Sequence, residues 1–405
     1  MKGRTILDAA ESTRMIHVGE PGSPLANTPL PPVQRASTVL LSDSGCFGGK
    51  PPAGPTYGRS GLTTQARLRT MLADLEHAED VQLHPSGLAA VTATIQALTS
   101  AGDEILLVDS VYNPTRRFIE GTMRRFGVTA RYFPPTAGAN EIAAMIGSQT
   151  RLLVLESPGS LTLDMQDVGA IAAAARARGV RTMIDNTYSA GVFFKPLDHG
   201  VDVSVQSLTK YVCGHSDVFM GMAASRGETS AILARASMEA GCAVSPDDAY
   251  LAVRGLKTLH ARLGLHGEAA LTVARWLASQ PEVSNVLCPA LPGAPGHELW
   301  VRDFTGTCGL VSIVLDATVQ TAGAMLDRLS LFGLGYSWGG FESLAILCDG
   351  QLAARSHPTG LTGPLIRLHV GLENVDDLIA DLDKSFGAVR AEPRNNVQKE
   401  KIAAG

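Results

Sequence analysis

The middle third of the chain alternates short, uninterrupted apolar runs with alanine-rich stretches. The runs Ile105–Val108, Leu152–Leu155, Thr182–Ile184 and Val201–Val205 are rich in Val, Ile and Leu, whereas Gly87–Leu98 and Val168–Arg178 have helical composition. A strand with one wet face alternates apolar and polar residues, and a run without alternation is buried on both faces. Strand–helix alternation of this kind predicts an α/β fold with a mainly parallel sheet covered by helices. Ligands in such sheets bind beyond the carboxyl ends of the strands. Asp109, Glu156, Asp185 and Ser207 each follow an apolar run and are expected on that one rim.

The flanks read differently. Residues 1–60 carry Pro21, Pro24, Pro29, Pro31, Pro32, Pro51, Pro52 and Pro55, which forbid long helices. An irregular arm of this length is uncommon inside a compact domain and more often lies across a neighbour or reaches a site. From Leu62 a helix is expected, with Leu68, Leu72 and Leu75 following at helical spacing. A helical segment over Pro246–Gly264 leads to a second unit, with strands at Gly309–Leu315 and Ile366–Val370 and an amphipathic helix at Val375–Phe386. The expected division is an arm over 1–61, a large α/β domain over 62–255, a smaller α+β domain over 256–390 and a frayed tail over 391–405.

Composition removes several function classes. The 405 residues are 45% apolar and 18% charged, a globular balance with length for two or three domains. The net charge of −5, without a basic block, lacks the footprint of a nucleic-acid binder. Polar residues near the start (Asp8, Glu11, Ser12, Arg14) do not resemble a secretory signal, and no apolar run reaches the ~18 residues of a membrane span. Six scattered cysteines without a C-x-x-C pair suit a reducing cytoplasm, and the ten histidines form no metal pattern. A cytoplasmic enzyme without metal, acting on a small molecule, is the expectation.

Chemistry begins at Lys210, just past a buried strand among Ser, Thr and Gly. A lysine there can serve as a Schiff-base amine once its surroundings lower its pKa, or can simply snorkel from the strand end. Asp185 stands 25 residues earlier, about one crossover unit, at the end of the preceding strand. Pyridoxal phosphate needs both, a lysine for its aldehyde and an anion for its ring nitrogen. Asp185-Asn-Thr also suits a helix N-cap. A phosphate could rest on the small-residue turn Ser86-Gly-Leu-Ala-Ala at the start of a helix, with Ser207, Thr209 and Arg59 adding donors.

Together, Tyr57-Gly-Arg59, Ser86-Gly-Leu-Ala-Ala, Asp185-Asn-Thr and Ser207-x-Thr209-Lys210-Tyr resemble the Cys/Met-metabolism family of pyridoxal-phosphate (PLP) enzymes, over about residues 13–388. Within the family, Gly335-Tyr-Ser-Trp-Gly-Gly-Phe-Glu-Ser343 and Glu156-Ser-Pro-Gly-Ser-Leu-Thr162 are similar to segments of bacterial cystathionine β-lyases. The γ-acting members typically carry Asn where this chain has Ser160.

The resemblance implies a type I PLP-dependent transferase fold, like aspartate aminotransferase, with a seven-stranded large sheet. It implies that Lys210 holds pyridoxal 5'-phosphate covalently and then shuttles the substrate α-proton. Asp185 would pair with the ring nitrogen, and Tyr112 would stack on the ring and assist proton transfer as a second catalytic residue. The amides of Gly87 and Leu88, with Ser207 and Thr209, would hold the phosphate. Tyr57 and Arg59 would complete that cradle from a neighbouring subunit, with Tyr57 also near substrate. Arg367, helped by Ser337 and the Trp338 backbone, would clamp the substrate carboxylate. The implied activity is β-elimination from L-cystathionine, a transsulfuration step of methionine biosynthesis, in a homotetramer of two site-sharing dimers. Alternatives are a cysteine-S-conjugate β-lyase, a cystathionine or methionine γ-lyase, or an inactive cofactor-binding regulator. Glu342 could cap a helix or form a salt bridge instead of facing substrate, His215 could order its own loop and His369, beside Arg367, could share the pocket edge; both histidines are expected to be structural rather than catalytic.

Overall fold

The computed structural model describes residues 9–17, 28–49 and 54–391. Expectations for Pro21, Pro24, Pro51 and Pro52, and for the tail after 391, fall outside these residues. Seven strands, β1 (Asp80–His84), β2 (Glu104–Val108), β3 (Thr129–Phe133), β4 (Thr150–Glu156), β5 (Arg181–Asp185), β6 (Val203–Ser207) and β7 (Gly221–Ser225), form one sheet. Their order is β1-β7-β6-β5-β4-β2-β3. β7 runs antiparallel to β1 and β6, and the other pairs are parallel. The order reverses around β2, and doubly wound sheets leave a crevice at such a point, at the carboxyl edge.

The apolar runs behave as their lack of alternation requires: Ile105–Val108 and Leu152–Leu155 are buried on both faces. The strand expected at Val201–Val205 starts at Val203 instead. Asp202 is drawn aside because its carboxylate accepts the Thr182 N–H at 2.7 Å and the Thr182 hydroxyl at 2.8 Å. β7 (Gly-Met-Ala-Ala-Ser) was not expected, because small residues carry little strand propensity. Packing explains the smallness: a Cβ on Gly221 would lie 2.3 Å from the Ser86 carbonyl oxygen.

The helical segment over Pro246–Gly264 divides into Pro246–Leu256 and Leu259–Ala278. At the break, Arg262 donates to the carbonyls of Gly255 (2.8 Å) and Tyr211 (2.6 Å), which binds the joint to the segment following Lys210. The arm also departs from its irregular reading, since Glu11–His17 is helical. There Met15 is buried, Arg14 pairs with Asp74 at 3.1 Å, and Glu11 bridges Lys195 and His260.

A second sheet contains β8 (Val283–Leu287), β9 (Leu310–Leu315), β10 (Gly333–Leu334), β11 (Leu344–Leu347) and β12 (Leu365–His369), in the order β10-β11-β12-β9-β8. Side chains alternate across it. Val311, Ile313, Leu315, Ile366 and Leu368 pack on Val273 and Leu277 of helix Leu259–Ala278 and on Leu378 and Leu382 of helix Val375–Ser385. On the alternate positions Leu310 joins the core of the first sheet, and Arg367 reaches the cavity described next. Among the described residues no helix is long and apolar enough to cross a membrane.

Candidate active site

Neighbouring strands β4, β5 and β6 end in Glu156, Asp185 and Ser207, with Glu156 and Asp185 in direct register. Beyond these ends lies a cavity of about 560 Å³ that both sheets line, with Lys210 from one side and Trp338 and Arg367 from the other.

Lys210 sits three residues past β6, in a turn pinned by Thr209, whose hydroxyl accepts the Met220 N–H at 3.0 Å and whose N–H donates to the Met220 carbonyl at 3.1 Å. The Lys210 ammonium donates to Ser337 Oγ at 2.9 Å and lies 5.3 Å from the centre of the Trp338 ring. Burial, and after it the charge of Arg367, bring its pKa down to about 8, while Asp185 pulls the other way.

Asp185 accepts the N–H of Thr187 at 3.0 Å and its hydroxyl at 2.5 Å. Burial nevertheless raises its pKa, against those bonds and the charge of Lys210. A buried carboxylate so placed is relieved by a cationic N–H donor arriving from the cavity. Glu156 is pushed well above the usual range by burial and then by Asp185, and it accepts the Tyr112 N–H at 2.7 Å. That bond fixes the backbone that presents the Tyr112 ring to the cavity. Burial, with Asp185 and Glu156, raises the Tyr112 phenol, so it stays protonated at neutral pH.

The helix Gly87–Leu98 begins at the same rim. Ser86 Oγ accepts the Ala89 N–H and the Ser86 carbonyl accepts that of Ala90, both at 3.1 Å. The first amides, of Gly87 and Leu88, have no acceptor within the helix and are open to an anion. A Cβ on Gly87 would stand 2.4 Å from Ser207 Cβ, so glycine is what lets this helix end approach β6. Arg367 donates through Nη2 to the carbonyls of Tyr336 (3.0 Å) and Ser337 (3.3 Å), while its Nε is buried with no partner.

Of the residues singled out in the sequence, Gly87, Leu88, Tyr112, Asp185, Ser207, Thr209, Lys210, Trp338 and Arg367 line this one cavity, and Ser337 touches it through Lys210. Tyr57 and Arg59 do not line their own chain's cavity: Tyr57 is half exposed and Arg59 donates to the Met238 carbonyl at 2.8 Å. Asp109 corrects the four-residue rim. Its carboxylate is taken by Arg116 and by the N–H groups of Ser356 (3.0 Å) and His357 (2.6 Å), which tie the C-terminal segment to β2. Glu342 accepts from Ser216, and His215 contacts the Cys213 carbonyl, both outside the cavity lining. The Ser160 amide donates to the Ser110 carbonyl and its own carbonyl accepts from Arg355. Arg117 was missed. It lines the cavity and has no ion-pair partner among the described residues, yet in the pair Arg116-Arg117 nothing in the sequence says which one faces inward.

An amine whose pKa is brought down to about 8, a buried carboxylate short of a cation, and two open amides beside a serine hydroxyl fit a phosphorylated pyridine aldehyde. Over residues 12–387 the chain matches the Cys/Met metabolism PLP-dependent enzyme family. It is 44% identical to the cystathionine β-lyase MetC of Escherichia coli over 340 residues, 82% of this chain and 86% of that protein. It is 39% identical to the cystathionine β-lyase of Haemophilus influenzae over 386 residues, 93% of this chain and 97% of that one. The crystal structure of MetB from Corynebacterium glutamicum superposes with a TM-score of 0.88 at 29% identity, covering 95% of this chain and all of the other. The shared two-sheet architecture is the type I PLP-dependent transferase fold. The chain belongs to the Cys/Met metabolism family of PLP-dependent enzymes, and pyridoxal 5'-phosphate is its cofactor.

Proposed function

We propose that the protein is a cystathionine β-lyase, a carbon–sulfur lyase that converts L-cystathionine and water to L-homocysteine, pyruvate and ammonia. The observation that carries this reading is the meeting of Lys210, Ser337 and Arg367, an amine near its titration point beside a guanidinium edge with an unpartnered Nε. Bound pyridoxal phosphate supplies an aldehyde and an electron-withdrawing pyridinium. Lys210 would hold it through its amine and, when that amine is free, would take the substrate α-proton. Asp185 would pair with the ring nitrogen. The amides of Gly87 and Leu88, with Ser207 and Thr209, would hold the phosphate. Tyr112 would face the ring, and its phenol, protonated at neutral pH, would give rather than take a proton. Arg367, with Ser337 and the Trp338 backbone, holds the α-carboxylate while the thiolate leaves the β-carbon.

Arg117 supports a substrate with a second carboxylate at its far end, as cystathionine has, over a simple cysteine S-conjugate. The exposed positions of Tyr57 and Arg59 support their donation to a neighbouring subunit's cradle, with Tyr57 near that subunit's substrate, in a homotetramer of two such dimers. The six unpaired cysteines support a cytoplasmic home. The two sheets support a division into a large domain over 62–255 and a smaller one over 256–390, preceded by the arm over 1–61.

The deciding test is incubation with L-cystathionine and identification of the products. Pyruvate with homocysteine is expected. Oxobutyrate with cysteine would replace the reading with γ-cleavage. Pyruvate from S-alkyl cysteines alone would replace cystathionine with a smaller thioether.

A further inference from the structure

Behind the cavity, the buried ring of His369 spans two points of the loop that carries Ser337 and Trp338. His369 Nε2 accepts the Gly339 N–H at 3.0 Å, and Nδ1 donates to the Glu342 carbonyl, also at 3.0 Å. These partners require a neutral imidazole with its proton on Nδ1. The ring packs 5.2 Å from that of His266 and 5.9 Å from that of Tyr211, and its burial first, then His266 and the cations Arg367 and Lys210, strongly disfavour charging it.

Arg367 and His369 are two residues apart on β12 and therefore share a face. Arg367 binds the carbonyls of Tyr336 and Ser337, so one face of a single strand grips the loop at four points between residues 336 and 342. The loop in turn lies on the catalytic lysine. Gly339 has φ +87°, and a Cβ there would stand 2.9 Å from Lys210 Cα. Letting Gly339 shift would carry Ser337 away from the Lys210 amine and Trp338 with it.

We propose that His369 is a positioning residue, a neutral imidazole that sets the Ser337–Trp338 loop against Lys210 and so shapes the carboxylate grip. The proposal rests on Arg367 and Ser337 being that grip. The test compares holoenzymes carrying His369→Leu and His369→Gln. The leucine variant is expected to raise KM for L-cystathionine about tenfold with a smaller loss in kcat, and to move the pH midpoint of the bound cofactor's visible absorbance. The glutamine variant, whose neutral amide offers N–H donors and a carbonyl acceptor, should recover most of both. Wild-type KM and midpoint in His369→Leu, even with a lower Tm, would reduce His369 to a packing residue and overturn the proposal. Should the leucine variant fail to fold, His369→Asn replaces it, because its shorter amide cannot reach both Gly339 and Glu342. It should show the raised KM, and a wild-type KM in it would equally overturn the proposal. If the wild type does not split cystathionine, the function reading fails separately. Glycine, bearing only the amine and carboxylate, then serves as probe: its Kd from the absorbance change should rise about tenfold in the variant, and an unchanged Kd would overturn the proposal.

Discussion

Ser337 Oγ accepts a hydrogen bond from Lys210 Nζ at 2.9 Å across 127 residues of sequence. It joins the loop after β6 of the first sheet to the loop between β10 and β11 of the second. Lys210→Ala should lower turnover more than ~1,000-fold, the scale of losing a positioned proton-transfer group. It should also abolish the cofactor adduct that borohydride fixes on the wild type, read by intact mass. Ser337→Ala should keep the adduct and raise KM. Wild-type turnover in Lys210→Ala would remove the lysine from the mechanism.

The Lys210 amine gives a pH prediction in the apoprotein. Acylation of this residue, followed by mass spectrometry, should show a midpoint near 8. Burial is the main cause, followed by Arg367, so Arg367→Leu should move the midpoint up. Asp185 favours the ammonium, so Asp185→Asn should move it down. The linkage has a definite sign: a lysine depressed from about 10.4 costs stability below pH 8, and the cost fades between pH 8 and 10.4. Lys210→Met should therefore raise the apoprotein's Tm at pH 7 more than at pH 10.

Gly87 tests the phosphate cradle. A methyl group there meets the Cβ and backbone of Ser207 rather than a flexible tip, so the helix end must retreat from β6. Gly87→Ala should weaken cofactor affinity at least about tenfold, measured by absorbance titration of the apoprotein. Overpacking of this kind costs about 1–3 kcal/mol. Unchanged affinity would show that the Gly87 and Leu88 amides do not hold the phosphate.

Site sharing between subunits is open to complementation. Arg59→Ala and Lys210→Ala proteins should each be inactive, and after dissociation and mixing should regain about a quarter of wild-type activity. Half of the dimers would be mixed, and in each of those one of two sites would be whole. No recovery would place Arg59 outside the neighbour's site.

Legibility followed burial. Runs such as Leu152–Leu155 are dry on both faces, and dryness writes itself into composition as unbroken Val, Ile and Leu. β7 and the break at Lys257–Thr258 were silent because close packing against Ser86 and a buried guanidinium dictate them, and neither leaves a periodic trace. Lys210, Asp185 and Gly87 could be picked out because each follows a strand or opens a helix in a recognisable motif. Asp109 misled for the same reason: its position after β2 is right, and its direction depends on Ser356 and His357, nearly 250 residues away. Arg117 and His369 carry no motif and are defined by what surrounds them.

The two halves of the cavity come from distant stretches of chain, and that has a consequence for synthesis. On the assignment proposed above, the groups facing the cofactor are all encoded by residue 210 and their sheet is complete at Ser225, whereas the carboxylate grip waits for Arg367 on β12. A growing chain would thus possess the anchor for its prosthetic group well before it could admit an amino acid.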